Sequence, residues 1–379
     1  MIDRRILTHF DFLLFFFLLP LMGLSFFLVH EANITLSLKQ GFYFATGFIV
    51  FWVVFLIPFR KFDYLFHVLY WGCVFLLLLV NFMGTSKLGA QRWLVIPGTS
   101  WSFQPSEPVK IAILLLLAHL INTHPIPPGG YGWKVFGKLA FYIIIPAGLI
   151  LKQPDLGTAL VILIMGFGVL FLVGVHPKVW ITLGIIFATA SPLIYGSLHA
   201  YQKKRIHDFI AEKPNYHVRQ SIIAIGSGGL LGKSQEESTQ AKLKFLPIAT
   251  SDFIFAYFVE RFGFLGAFAL LIFYLLFVLH FFSYFMSDPK DRFLQTITGG
   301  IAILIFVYTS VNIAMTLGLA PVVGLPLPLL SYGGSSFITF IALFAIFENL
   351  LAFKFGFGYN PPSYRKKGFL AQLVRAFGS

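Results

Sequence analysis

Apolar positions run in blocks along this chain, and the polar positions gather in the short intervals between them. The blocks fall at 10–29, 41–59, 63–83, 105–122, 136–151, 156–174, 178–196, 253–284, 293–317 and 332–352. A bilayer core of about 30 Å takes roughly 20 apolar residues per helix, so the pattern predicts about ten membrane-crossing helices. The fifth and sixth are separated only by Lys152-Gln153-Pro154-Asp155, which makes them a tight hairpin. The expected fold is all-α and polytopic. It comprises one membrane domain over 1–353, a long loop over 197–251 between helices 7 and 8, and a basic tail over 354–379. The first block, Phe10 to Val29, is too long for a secretory h-region and lacks a small-residue cleavage site, so it reads as a spanning helix.

Basic residues in short loops set the orientation. Arg4, Arg5, Arg60, Lys61, Lys134, Lys138, Lys178, Lys290 and Arg292 fall on one side, as do Lys354, Arg365, Lys366, Lys367 and Arg375 of the tail. That side is assigned to the cytoplasm, with both termini there. The 197–251 loop dissents, with eight Lys or Arg against four Asp or Glu on the outer side. A loop this long crosses regardless of its charge, and loops of such length are usually functional or disordered. Its Gln220–Gly232 stretch is apolar and Gly-rich, suited to lying at the interface or dipping into the membrane. The tail from Gly368 to Ser379 fits either a short interfacial helix or a disordered end.

Composition supports this reading. The chain is 58% hydrophobic and 11% charged, with 47 Phe, whereas soluble domains are about a quarter charged. A net charge of +13 would suggest nucleic acid in a soluble protein, but here the basic residues flank apolar blocks, so nucleic acid is excluded as a partner. The single cysteine, Cys73, permits no intramolecular disulfide and reads as a packing residue. No internal repeat is evident, which weighs against an inverted-repeat transporter. Metalloprotease, serine-hydrolase, P-loop and dinucleotide signatures are absent.

Polar groups at membrane depth need a partner or a purpose, and four clusters on the outer side carry the candidate chemistry. Gly89-Ala-Gln-Arg-Trp93 precedes Gln104-Pro-Ser-Glu-Pro-Val-Lys110. There Pro105 and Pro108 open a helix, Glu107 sits in its first turn, and Lys110 lies three residues on, on the same face. Arg92 and Trp93 suit a phosphate and a sugar. In the second cluster Asp155 is an N-cap candidate, while Lys152 and Gln153 are delivered to the outer mouth. The third, Thr250-Ser-Asp-Phe-Ile-Phe255, places Asp252 either as an N-cap or as a general base at the membrane surface. Glu260 lies about 12 Å deeper at 1.5 Å per residue, with Arg261 beside it. The fourth, Gly324-Leu-Pro-Leu-Pro-Leu-Leu-Ser-Tyr-Gly-Gly-Ser-Ser336, is held extended by its prolines. It opens the last helix with Ser331, Gly333, Gly334 and Ser336, either as simple capping or as a phosphate cradle.

In this order the clusters resemble the SEDS family of bacterial cell-wall polymerases, the RodA/FtsW group. The stretches that carry the resemblance are Gly-Ala-x-Arg-Trp with Gln-Pro-Ser-Glu, Gln-Pro-Asp-Leu-Gly-Thr, Ser-Asp-Phe-Ile-Phe-Ala and Pro-Leu-Pro-Leu-Leu-Ser-Tyr-Gly-Gly-Ser-Ser. Gln220-Ser221, Gly226–Gly232, Ser238-Thr-Gln240 and Phe245-Leu-Pro247 are similar to the family's long outer loop. The resemblance covers nearly the whole chain, and the compact N-terminus and short length are closer to the elongation member, RodA, than to the division member. It implies a peptidoglycan glycosyltransferase that polymerises lipid II, a disaccharide-peptide on undecaprenyl pyrophosphate, into β-1,4 glycan strands. Asp252 would take the proton from the acceptor 4-hydroxyl, and Arg92, Lys110 or Lys152 would stabilise the leaving pyrophosphate. Ser221 and Gln240 join the candidate substrate-binding residues. A divalent cation, Mg2+ or Mn2+, would travel with the pyrophosphate. The implied partners are a class B penicillin-binding protein and the other membrane proteins of the elongation complex.

The chain departs from the family near the aspartate. Many members have Glu and His where this chain has Ile248 and Thr250, and a second Glu where it has Arg261, so a network using those groups does not carry over. Two other functions compete: a lipid II flippase, which needs a polar path through the membrane, and a non-catalytic scaffold, which needs no concentrated outer site. The deep polar residues are few (His119, Glu260, Arg261, Asn312), and most polar groups crowd the outer rim.

Overall fold

A computed structural model of the protein describes residues 9–62, 64–87, 90–95, 102–197, 202–203, 207–209, 215–238 and 249–353. The chain runs through α1 (Phe12–Ala32), α2 (Ile34–Phe55) and α3 (Leu65–Met83). Then follow a small sheet of β1 (Thr85–Lys87), β2 (Ala90–Val95) and β3 (Ser102–Phe103), and α4 (Ser106–Thr123). Next come α5 (Trp133–Lys152), α6 (Leu156–Val173), α7 (Pro177–Ser197) and α8 (Tyr216–Ser227), and last α9 (Ile254–Ser287), α10 (Arg292–Thr316) and α11 (Gly334–Ala352). Among the described residues nine helices are long and apolar enough to cross a membrane, and α7 adds a shorter apolar segment, Pro177–Leu193. The protein is therefore a polytopic, all-helical membrane protein, as the blocks of apolar residues predict. The basic tail beyond 353, Arg4, Arg5 and the Phe245–Pro247 stretch lie outside the described residues.

The helix starts follow local capping. Asn33 Oδ1 accepts from Thr35 N and Leu36 N, so α2 begins at Ile34, several residues before the apolar block at 41–59. Asp155, Asn215 and Asp291 cap α6, α8 and α10 in the same way. The bundle is layered. Most residues of α4, α10 and α11 are buried, whereas α2 and α3 bury only a stripe and turn Phe48, Phe75 and Phe82 outward. In a bilayer those rings face lipid.

Two features were not legible as separate elements. Between the third and fourth apolar blocks, Thr85–Lys87, Ala90–Val95 and Ser102–Phe103 form an antiparallel sheet in the order β1-β2-β3. The eighth apolar block, expected as one span, is a helix broken at Gly263, where φ is +65 and ψ −166. The Gly-rich turn after α8 fits into that break. Phe264 N donates to Gly229 O at 2.8 Å, Leu265 N to Leu230 O at 3.1 Å, and Lys233 N to Glu260 O at 3.0 Å. Irregular backbone at membrane depth survives only where such groups are paired inside the protein. The end of the Gln220–Gly232 stretch is thus packed against α9.

The two ends of the bundle are distinct. At one, Arg60 pairs with Asp291 at 2.5 Å, Asn349 Nδ2 donates to Phe55 O and Ile57 O, and Asp11 N donates to Glu348 Oε2 at 3.1 Å. His280 Nε2 meets Asp11 Oδ2 at 2.6 Å. The start of α1 and the close of α11 therefore share one end, as an even number of crossings demands. The sheet, the α5–α6 turn, the residues before α9 and the 317–333 connection gather at the other.

A β-carbon at Gly228 would run into the Val259 carbonyl oxygen, so Gly228→Ala must lift α8 off α9. Overpacking of this kind costs about 1–3 kcal/mol. A lowered melting temperature in detergent is expected; an unchanged one would mean that α8 is not seated on α9.

Candidate active site

Asp252 stands immediately before the buried first half of α9. Three consecutive carbonyls hold its backbone: Thr250 O accepts from Tyr332 N at 2.8 Å, Ser251 O from Ser331 Oγ at 2.7 Å, and Asp252 O from Asn312 Nδ2 at 2.9 Å. Asn312 and Ser331 each make a second bond into the 325–331 connection. Asn312 Nδ2 also donates to Leu325 O at 2.7 Å, and Ser331 Oγ accepts from Leu327 N at 2.7 Å. In that connection Leu329 has φ +64, an uncommon conformation for a branched residue. Tyr274, donating to Pro328 O at 2.5 Å, helps to hold it there.

The N-cap position of α9 falls on Phe253 rather than on Asp252. Its half-buried carboxylate instead lies beside Gly324 (φ +71), with Oδ2 3.6 Å from where a β-carbon would be.

Behind this segment, Lys110 Nζ donates to Glu107 Oε1 at 2.8 Å and to Tyr308 Oη at 2.5 Å. The i,i+3 pair expected from sequence forms, but Lys110 is only 1% exposed and Glu107 7%, so it lies beneath the surface. Glu107 Oε2, Thr309 Oγ1 and Asn312 Oδ1 are buried without a hydrogen-bond partner among the described residues.

Arg92, on β2, reaches the α5–α6 turn. Its Nη2 donates to Pro154 O at 2.8 Å, and its Nε lies 3.5 Å from Asp155 Oδ2. Asp155 also caps α6 through Thr158 N and Oγ1. Trp93 follows on the same strand, half-buried, and its carbonyl accepts from Thr85 Oγ1. Gln153 is buried and donates to Leu77 O at 2.8 Å, so its side chain holds the turn to α3. Lys152 remains exposed at the end of α5. A β-carbon on Gly157 would meet Val323 O at 2.5 Å, which ties this turn to the 317–333 connection.

On the other flank Tyr43 of α2 lies against Gly334, where a β-carbon would meet its Cε1 at 2.6 Å. The Tyr43 and Tyr332 rings are 6.0 Å apart. Burial, then Tyr43, push the Tyr332 hydroxyl, in the connection before α11, up to about 12, so it stays a donor at neutral pH. Gly333 has open space around it, no side chain caps α11, and Ser336 is half-buried in its first turn. Ser221 is fully buried and donates to Thr316 O at 2.7 Å, which docks α8 on α10. Gln240 lies outside the described residues.

The fold thus brings Asp252, Ser331, Gly333, Gly334 and Ser336 to one rim, with Arg92, Trp93, Lys152 and Gln153 at the same end and Glu107 and Lys110 below it. Sequence reasoning passed over Tyr308, Tyr43 and His217. Tyr43 stands near the start of the 41–59 block, Tyr308 inside the 293–317 block and His217 in the 197–251 loop, and none of these positions carries a signal of its own.

This arrangement defines a multi-pass membrane protein with a cluster of polar groups at one end of its bundle. Over residues 2–355 the chain matches the FtsW/RodA/SpoVE family of cell cycle proteins, and it belongs to that family. It is 67% identical over 379 residues to the peptidoglycan glycosyltransferase MrdB of Helicobacter pylori strain J99, covering 100% of both chains. It is 38% identical over 308 residues to MrdB of Escherichia coli K12, covering 80% of this chain and 82% of that one. Among solved structures, a chain from a study of the structural coordination of polymerization and crosslinking by a peptidoglycan synthase complex is similar. Its TM-score is 0.79 at 26% identity, over 92% of this chain and 99% of that one. The rod shape determining protein RodA of Thermus thermophilus has a TM-score of 0.69 at 27% identity, over 91% and 98%.

Removing one partner of a buried ion pair costs about 3–5 kcal/mol, because the other charge is left uncompensated. Lys110→Met is therefore expected to lower the melting temperature sharply, and the double change Glu107→Gln with Lys110→Met to recover much of it. Equal stability of the two variants would mean that the pair is not buried as described.

Proposed function

We propose that this peptidoglycan glycosyltransferase of cell elongation polymerises lipid II at the Asp252 rim, with Asp252 as its general base. One observation carries the reading: a half-buried carboxylate at the bundle's end whose backbone is fixed by three bonds and whose Oδ2 lies beside Gly324 of the connection before α11.

An alcohol is a poor nucleophile at neutral pH, so a positioned base contributes about 10²–10⁴-fold. Asp252 takes the proton of the acceptor 4-hydroxyl as that oxygen attacks the donor's anomeric carbon. The pyrophosphate leaves from the opposite face, which turns an α-linked donor into a β-1,4 bond. Negative charge gathers on the leaving group, and fixed cations lower the barrier most when they are already in place. Lys152 is exposed at that end, and Arg92 is braced by Asp155 and Pro154 O. Lys110 acts from beneath, through Glu107 and Tyr308, rather than by direct contact.

A divalent cation, Mg2+ or Mn2+, is expected to arrive on the pyrophosphate. Among the described residues no group of three or more His, Cys, Asp or Glu could cage a metal, so no step is assigned to one. The positive-side pattern supports cytoplasmic termini and an outer site in the bacterial cytoplasmic membrane. The likeness to a chain of a peptidoglycan synthase complex supports a crosslinking partner, proposed to be a class B penicillin-binding protein, alongside the other elongation membrane proteins.

The test is purified protein with that partner, labelled lipid II and a divalent cation, with glycan polymer read on a gel. Wild type is expected to make polymer, and Asp252→Asn, at an equal melting temperature, to lose at least about a hundredfold in rate. Equal polymer from both would remove Asp252 from the base role. No polymer from either, with lipid II still crossing liposomes, would favour a flippase.

A further inference from the structure

His67, in the first turn of α3, and His119, one turn before the end of α4, meet at the end of the bundle away from Asp252. Their ring centroids are 5.6 Å apart, edge to face with 87° between planes, and both rings are half-buried. Tyr142 of α5 closes the third side, its ring centroid 6.3 Å from that of His67. Lys138 precedes Tyr142 by one turn on the same face of α5 and is exposed. It acts on His67 as a like charge, as His119 does. Three groups that can carry positive charge thus converge from three helices. Neither α3, α5 nor the 124–132 connection contains Asp or Glu. Glu107 of α4 is about 18 Å from His119 along the axis and is bonded to Lys110. Asp291, at the same end as the two histidines, is paired with Arg60. Asp63, in the connection before α3, lies outside the described residues. Beyond His67 and Lys138, toward the middle of the bilayer, Trp71 of α3 and Phe141 of α5 turn outward. The corner is therefore basic at its end and apolar further in, the order of groups in a phospholipid.

We propose that this corner of α3, α4 and α5 binds the headgroup of an anionic phospholipid. Its phosphodiester accepts hydrogen bonds from the His67 and His119 imidazoles and from the Lys138 ammonium, and its chains lie along Trp71 and Phe141. Ionisable groups on a lipid-facing corner call for a use, and like charges brought together favour an anion between them. Basic pockets between membrane helices, at the level of the headgroups, are suited to anionic lipids. The apolar flank selects a lipid over a free phosphate, because only a lipid covers both parts of the corner. The inference is independent of the role of Asp252, which lies at the opposite end.

The test uses the full chain in nanodiscs of phosphatidylcholine, alone or mixed with phosphatidylglycerol. Two quantities are read: the melting temperature, and the phosphatidylglycerol that stays with the protein after detergent extraction. A ligand that binds the native state raises the melting temperature, so wild type is expected to melt higher with phosphatidylglycerol and to retain it. His67→Gln with His119→Gln is expected to lose both effects. Lys138→Gln, an exposed change with little risk to folding, is expected to weaken retention about fivefold. Lys178→Gln, an exposed basic position on α7, is expected to behave as wild type. Wild-type retention in both the double variant and Lys138→Gln would overturn the proposal. If the double variant fails to fold, Lys138→Gln decides alone. An equal loss in Lys178→Gln would also overturn it, by showing only a diffuse attraction to basic residues. Inorganic phosphate added to phosphatidylcholine discs is expected to leave the melting temperature unchanged. A rise equal to that from phosphatidylglycerol would overturn the lipid in favour of a free phosphate.

Discussion

Three successive carbonyls, at Thr250, Ser251 and Asp252, each accept a hydrogen bond from a different group, and the site exists because of them. Tyr332 N, Ser331 Oγ and Asn312 Nδ2 come from the 317–333 connection and from α10. A segment just outside a helix would ordinarily spend its carbonyls on water. Here they are spent on two distant parts of the chain, and the segment has one position. Because Asn312 and Ser331 also bond Leu325 O and Leu327 N, the same bonds hold the strained Leu329 turn. The carboxylate and the connection that faces it are thus fixed as a unit.

The break in α9 obeys the same rule at greater depth. An apolar environment offers no water to a freed amide, so the amides at 264 and 265 must find carbonyls within the protein. The turn after α8 supplies them at Gly229 and Leu230. Close approach requires the absence of a β-carbon at Gly228 and Gly263. The turn that follows α8 is therefore structural: it completes a membrane helix. This also explains why α8, an amphipathic segment of a loop, lies along the first turns of α9.

Charge is placed with equal economy. At the site end Arg92 binds the carbonyl and the cap of the α5–α6 turn, and Lys110 is held beneath the surface between Glu107 and Tyr308. At the other end Asp11, His280 and Glu348 join the start of α1 to α9 and α11. Arg261 pairs with Glu31 of α1 at 2.8 Å. Basic residues that look alike in a hydropathy pattern thus divide into topological markers, buried pair members and exposed cations.

Much of this was legible in the chain itself. Apolar blocks of about 20 residues determine helices in a bilayer, because a spanning segment has no other way to satisfy its backbone. The cap at Asp155 and the i,i+3 pair of Glu107 and Lys110 are local, and local spacing suffices to read them. Asp252 stood out by its place and by the family pattern. Whether it capped a helix was undecided, since a cap and a base share the same residue in the same position. Only the tertiary structure decided the break at Gly263, the burial of Lys110, the occupation of Gln153 and Ser221, and the nearness of Tyr43 to Tyr332. Each depends on a partner far along the chain, and hydrogen-bond partners at long separation leave no periodicity for a sequence to show.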